Sequence, residues 1–297
     1  MKTIIKRKNK HHNIKNASKL FGLLCMVLYS VFCLAEKQDK DLTDFLNIQG
    51  ELTQGSAIIG QVPRGSTLLV NDKAILTTDS GQFFVGFDRD AKLQQIFHLK
   101  MNSGEEYSDT LSLTKREYNL QKVNGVPQKT VSPNEKNLKR IRQENTLVKK
   151  AREVISANTY FLDKFIAPMK GPITGVYGSQ RIYNGTPKRP HYGVDYAGPV
   201  GAPVYAPASG VVSLVHPDMF YSGGTLILDH GYGVSSSFLH LSEILVKDGQ
   251  QIKQGDLIAK VGKGGRATGP HLDWRMNWFN VRIDPLKVIE INKAAKK

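Results

Sequence analysis

From about Asp44 to Leu120 the hydrophobic positions fall into short runs rich in β-branched and aromatic residues: Ala57 to Val62, Thr67 to Val70, Phe83 to Phe87 and Gln95 to Met101. Turn formers separate them, namely Pro63-Arg64-Gly65, Asn71-Asp72, Asp79-Ser80-Gly81 and Ser103-Gly104. Runs of this length with this punctuation predict strands, and residues 44-122 are expected to form a small β-sandwich, an accessory unit that positions or inhibits the C-terminal half of the chain. The period then changes. After a linker from Val123 to Val131, Ser132-Pro133-Asn134-Glu135 combines an N-cap serine, a proline at the first helical position and a capping-box glutamate. Leu138, Ile141, Leu147, Val148, Ala151, Val154 and Ile155 recur at helical spacings on an otherwise Lys/Arg-rich background, which predicts a one-sided helix. This helical connector is expected over 132-166, with Phe161, Phe165 and Ile166 packing it against the next unit.

Beyond Pro168 glycine becomes frequent between β-branched runs: Val204 to Ala206, Gly210 to Val215, Thr225 to Leu228, Val234 to Phe238 and Leu257 to Val261. The pattern predicts a mostly antiparallel β domain over 168-291, so the fold class is mainly β with a helical connector. The apolar run Leu20 to Leu34, after a basic stretch and before small residues ending at Ala35, reads as a signal peptide over 1-35 or an N-terminal anchor. The rest of the chain is therefore expected to be exported, in contact with a membrane only if that segment stays uncleaved. Both cysteines, Cys25 and Cys33, lie in this run, which leaves no thiolate for a disulfide or a metal in the remainder.

A chain of 297 residues accommodates two folded units. Its hydrophobic and charged fractions, 40% and 23%, exclude wholesale disorder and a multispan membrane protein. The net charge of +15 is the outlier; seven positive charges precede Glu36 with no acidic residue among them, so the remainder keeps +8 and favours anionic partners. Nucleic acid is set aside, because the leader directs export and no nucleic-acid motif appears.

Five of the eight histidines fall after Pro168. His191-Tyr192-Gly193-Val194-Asp195 sets an imidazole and a carboxylate four residues apart across a glycine, a spacing that lets both reach one cation. In Gly269-Pro270-His271-Leu272-Asp273, His271 and Asp273 alternate, and residues i and i+2 of a strand share a face. His240 ends an apolar strand between the two clusters. Together these segments supply enough groups for three metal ligands and two proton carriers, and a catalytic zinc needs three protein ligands with one open position. His230, in an Asp-His-Gly turn, and His216, before Pro217, take the structural reading. Lys188, Arg189, Lys263 and Arg266 flank the clusters, as solvated side chains or as guides for an anionic peptide.

The segment resembles the lysostaphin and LytM type of zinc metallopeptidases, which cleave peptidoglycan peptides. The matching stretches run in family order: Val176-Tyr177-Gly178, Pro190 to Asp195, Gly201 to Ala206, Ser209 to Val212, Leu228 to Gly233, Leu239-His240-Leu241 and Thr268 to His271. The resemblance implies one Zn2+ per chain held by His191 and Asp195, with His240 and His271 as the catalytic pair in either order. The family's second histidine of His-x-His is Asp273 here. Either Asp273 is the third ligand, which would leave a bound ion electrically neutral overall, or the site has become a metal-free surface that binds peptidoglycan or activates an amidase partner. Tyr183 and Asn184 are expected to touch substrate. The implied activity is endopeptidase cleavage of wall cross-links, in growth, shape or separation of the cell wall, and the N-terminal β region with its connector resembles the accessory part of secreted Gram-negative members, which implies a periplasmic location.

Overall fold

In the computed structural model, which describes residues 41–123, 135–183 and 186–291, the first half of the chain builds two small antiparallel sheets around one core. Its strands are β1 (Asn47–Gln49), β2 (Ala57–Gln61), β3 (Thr67–Val70), β4 (Lys73–Ala74), β5 (Gln82–Gly86), β6 (Gln94–Lys100) and β7 (Glu106–Ser112). One sheet has the order β1-β2-β5 and the other β4-β3-β6-β7. Ile58, Leu68, Val70, Phe83, Val85, Phe97 and Leu99 fill the space between them. The alternate residues of β2 and β5, Ala57 and Phe84, are equally buried but belong to the core of the second half. Being covered on both faces is why Ala57 to Ile59 and Phe83 to Val85 read as unbroken apolar runs. The polar strand β7 escaped the sequence pattern because it pairs only with β6, at the edge of its sheet.

Strand β8 (Leu120–Val123) leaves this unit, and helix α1 (Glu135–Glu153) follows. The capping sequence Ser132-Pro133-Asn134 lies outside the described residues, as do the leader and the linker from residue 124. The helix ends at Glu153, so Val154 and Ile155 do not continue its apolar stripe and are exposed. The chain instead runs across β-structure, where Ser156 donates to Asp229 Oδ2 and its carbonyl accepts from the Tyr232 N–H at 3.0 Å. Phe161 and Phe165 are fully buried, whereas Ile166 is exposed.

The second half contains β9 (Ile173–Gly175), β10 (Gln180–Tyr183), β11 (Thr186–Pro187), β12 (Val194–Ala197), β13 (Pro203–Tyr205), β14 (Gly210–Met219), β15 (Gly223–Gly231), β16 (Val234–Ile244), β17 (Gln251–Ile252), β18 (Leu257–Val261), β19 (His271–Trp278), β20 (Val281–Ile283) and helix α2 (Pro285–Ile291). A ten-stranded sheet runs β17-β14-β15-β16-β19-β12-β9, with β13, β18 and β20 branching from it. Every pairing within it is antiparallel. Strand β8 pairs in parallel with β10, so the first half returns to the sequence that enters the histidine clusters.

Alternation along β19 sorts its residues. Leu272, Trp274 and Met276 enter the main core, together with Phe238 on β16 and Leu226 and Leu228 on β15. At about 25 cal/mol per Å2 of apolar area, burial of a side chain of this size contributes roughly 2–3 kcal/mol. His271, Asp273, Arg275 and Asn277 occupy the other face, where α1 packs Ala151 and Val148 on Leu214, Met219 and Ile227. Among the described residues no helix is long and apolar enough to cross a membrane.

Candidate metal centre

The backbone register brings the two sequence clusters together. Asp195 on β12 pairs with Asp273 on β19, and His271 lies two residues away on the same strand. His191, in the loop before β12, offers Nε2 at 3.2 Å from Asp195 Oδ1. His191, Asp195 and Asp273 present ligand atoms that all lie within 4.8 Å of one another. Two glycines make the approach of the carboxylates possible: a Cβ on Gly175 would stand 2.2 Å from Asp195 Oδ2, and one on Gly193 would stand 2.4 Å from Asp273 Oδ1.

Satisfaction of hydrogen bonds tests whether a cation fits. His191 Nε2 and Asp195 Oδ1 are buried and neither has a hydrogen-bond partner. Two buried ligand atoms that face each other at 3.2 Å and have no other partner are poised for a cation, and an imidazole nitrogen with a carboxylate oxygen is a borderline metal's preferred set. Asp273 differs, because Arg275 grips it. Arg275 Nε donates to Oδ1 at 2.9 Å and to Oδ2 at 3.0 Å, and Nη2 donates to Oδ2 at 2.5 Å. Burial pushes the Asp273 carboxyl up, but the guanidinium overrides it and holds the group at about 2. Oδ1 accepts a single bond from Arg275 and keeps a lone pair for a metal. The donor set therefore fits a metal ion.

The neutrality expected of a bound dication with two carboxylates and one imidazole concerns its ligands alone; the Arg275 charge lies outside them, paired with Asp273. Arg275 was legible in principle, since it is the next residue on the face shared by His271 and Asp273. A reading confined to ligand types passed over it.

His240 and His271 stand side by side, with ring centroids 4.7 Å apart and planes tilted by 53°. Each is pinned through Nδ1 to a backbone carbonyl, His240 to Gly264 and His271 to Gly269, both at 2.8 Å. A carbonyl only accepts, so both Nδ1 atoms carry the proton and both Nε2 atoms are left as acceptors. His271 Nε2 lies 3.8 Å from Asp195 Oδ1. His240 adopts φ +64, a left-handed backbone uncommon for a side chain with Cβ, where the β16 pairing shifts register. Burial lowers its pKa, with the Gly264 carbonyl opposing the shift in part, so the ring favours the neutral form that accepts protons.

The remaining candidates sort cleanly. His230 is completely buried on the opposite, core side, held by the Ser209 carbonyl at 2.7 Å and Ser236 Oγ at 2.8 Å and packed against Phe165. It is a structural residue, in accord with the sequence. His216 accepts from the Asp218 N–H at 3.2 Å, away from the cluster. Arg266 stacks on Tyr221 at 4.7 Å. Asn184 lies outside the described residues, and Tyr183 is described only as the last residue of β10.

Residues 189–285 match the model of Peptidase family M23. Over 100 residues the chain is 44% identical to Peptidoglycan DD-endopeptidase ShyB of Vibrio cholerae, covering 33% of this chain and 23% of that protein. Over 126 residues it is 37% identical to Peptidoglycan DD-endopeptidase ShyA of the same organism, covering 41% and 28%. The matches thus span about a quarter of those relatives' length. A solved peptidase M23 structure from Pseudomonas aeruginosa aligns at a TM-score of 0.64 and 28% identity, covering 81% of this chain and 96% of that one. Coverage on that scale takes in the N-terminal sheets as well as the histidine clusters. The segment that holds both histidine clusters, residues 189–285, is thus the part of the chain that is similar to M23 peptidases.

Proposed function

We propose that this chain is an exported zinc endopeptidase that hydrolyses peptide cross-links of bacterial peptidoglycan, acting in cell-wall growth, shape or separation. The observation that carries the reading is the buried pair His191 Nε2 and Asp195 Oδ1, 3.2 Å apart with no hydrogen bond to any other group among the described residues, beside two histidines whose Nε2 atoms are free to accept. The M23 domain and the wall endopeptidases it resembles support the choice of reaction and substrate.

In this reading His191, Asp195 and Asp273 hold one Zn2+, which supplies Lewis-acid polarisation of the scissile carbonyl and acidifies water. The chain's own residues do the rest. One of His240 and His271 takes the proton of the attacking water on Nε2 and later delivers it to the leaving amine, while the other, protonated on Nε2 from bulk solvent before the reaction, donates toward the oxyanion. Their backbone anchors fix both rings, so neither must reorganise as the reaction proceeds. Arg275 holds the Asp273 carboxylate in place and ionised. Tyr183 and Asn184, just before the first cluster, are assigned to substrate contact, and the chain is assigned to the periplasm.

The test is metal content by elemental analysis with release of muropeptides from cross-linked peptidoglycan, for the native protein and for Asp273→Ala. About one zinc per chain, with metal and release both lost in the variant, is the expected result. A native protein that holds no metal and releases nothing with added zinc overturns the proposal and assigns the domain to wall binding or to activation of an amidase.

A further inference from the structure

The face of the sheet that carries the metal centre holds more positive charge than metal binding uses. Arg275 follows Asp273 by two residues on β19, and its cross-strand partner on β16 is Ser237. Arg152 reaches the same spot from the end of α1, donating from Nη2 to Ser237 Oγ at 3.0 Å. Arg282 on β20 pairs in register with Asn277 and lies over the Tyr192 ring at 5.3 Å, next in sequence to His191. Three guanidiniums, from β19, β20 and the end of α1, therefore gather on this face beside the metal centre.

Among the described residues, Asp273 is the one carboxylate that pairs with any of them. Arg152 Nε is buried without a partner, and so is the amide of Asn277 beneath. Burial, reinforced by mutual repulsion, pulls Arg152 down to about 9 and Arg282 to about 10, as expected where an anion is in short supply. The cluster is still reachable: the Arg275 side chain is 25% exposed, and Arg152 and Arg282 are partly buried. Planar guanidinium forks match carboxylates in two-bond geometry. Two residues along a strand span about 7 Å, roughly the reach of two residues of extended peptide, so an anion bound here belongs to a residue close to the bond being cut.

We propose that Arg152, Arg275 and Arg282 form a carboxylate-binding subsite adjoining the metal centre, which recognises a free carboxylate of the peptide substrate. The choice of peptide rests on the endopeptidase reading; the subsite itself rests on the arginine geometry. Arg152 gives the subsite a member from outside the M23 domain, so substrate recognition would join α1 to the sheet.

Calorimetric titration of the full chain, stripped of metal by a chelator, tests this without relying on turnover. The probes are a wall tetrapeptide with free carboxylates, the same peptide with its carboxyls amidated, and inorganic phosphate. Amidation is expected to weaken binding by tenfold or more. Arg152→Gln and Arg282→Gln should weaken the free acid by a similar factor and remove the difference between the peptides, and Arg282→Lys should recover part of it. Equal affinity of the native protein for both peptides, no binding of the free acid, or discrimination that survives in both folded Gln variants overturns the subsite. Phosphate binding as tight as the peptide overturns it too, in favour of a general anion site. A chain that releases muropeptides yet ignores amidation sinks the subsite alone, whereas discrimination without muropeptide release sinks the endopeptidase reading alone.

Discussion

Replacing Arg275 by Met removes the charge that faces Asp273 while keeping an unbranched apolar stem of similar reach. The Asp273 side chain is 3% exposed, and among the described residues its side-chain hydrogen bonds are the three Arg275 contacts at 2.5–3.0 Å. Breaking such a pair from one side leaves a buried carboxylate uncompensated, which costs about 3–5 kcal/mol. Because the Arg275 side chain remains 25% exposed, water can reach the vacated position, and the lower end, about 3 kcal/mol, is the better expectation. For a unit of this size each kcal/mol moves Tm by roughly 2–4 °C, so the metal-free Arg275→Met protein should melt about 6–12 °C below the native protein. Zinc should narrow that gap, since a cation ligated by Asp273 replaces the lost guanidinium and stabilises in proportion to its binding. Thermal unfolding by circular dichroism, with chelator and with excess zinc, measures both quantities. A variant that melts within 1–2 °C of the native protein (about 0.5 kcal/mol or less) refutes the buried-pair argument. A deficit that zinc leaves unchanged refutes the idea that Asp273 meets both partners.

Gly193→Ala should disturb the same centre from the other side: the new Cβ would meet Asp273 Oδ1 at 2.4 Å and the Trp274 carbonyl at 2.7 Å, a clash worth about 1–3 kcal/mol, and zinc retention on dialysis should fall with it. His230 sets a pH dependence. Its burial lowers the folded pKa below the unfolded value of 6.5, so the unfolded chain binds the extra proton first and stability is lost as pH falls through 6.5 toward the folded value. Chemical denaturation between pH 7.5 and 5 should show this as a slope of up to about 1.4 kcal/mol per pH unit that is missing in His230→Gln; identical slopes would refute it.

The donor set was legible because its spacing is local. His191 to Asp195 and His271 to Asp273 each announce themselves within five residues, and period two along β19 puts His271 and Asp273 on one face. The strands with apolar runs were legible for the same reason. The features that escaped depend on register between distant strands. Ser237 looks like a polar interruption in β16 until pairing sets it opposite Arg275, and nothing local in the α1 sequence marks Arg152 as its partner. Glu144 reads as one more charge on a solvated helix, yet it is buried, capping the Phe220 N–H at 2.9 Å and pairing with Arg140. The helix was sound as an element; its seat on the functional face was invisible, because a one-sided apolar stripe says that something is covered and not what.

Strands β2 and β5, covered on both faces, make the halves of this protein share an interior. Ala57 and Phe84 pack into the core that contains Trp274 and Met276, Gly86 is kept small by Trp278 and Ile283, and Arg116 closes the junction by pairing with the buried Asp284 at 2.8 Å. An M23 segment in this setting is not an interchangeable cassette. Excising it would expose apolar residues that are wrapped here, and grafting a different N-terminal unit would need a matching imprint of Phe84. Recombination within such a lineage should therefore preserve the two halves together, and substitutions are expected to accumulate in the loops and at the exposed edge β7, where each is answerable to fewer neighbours.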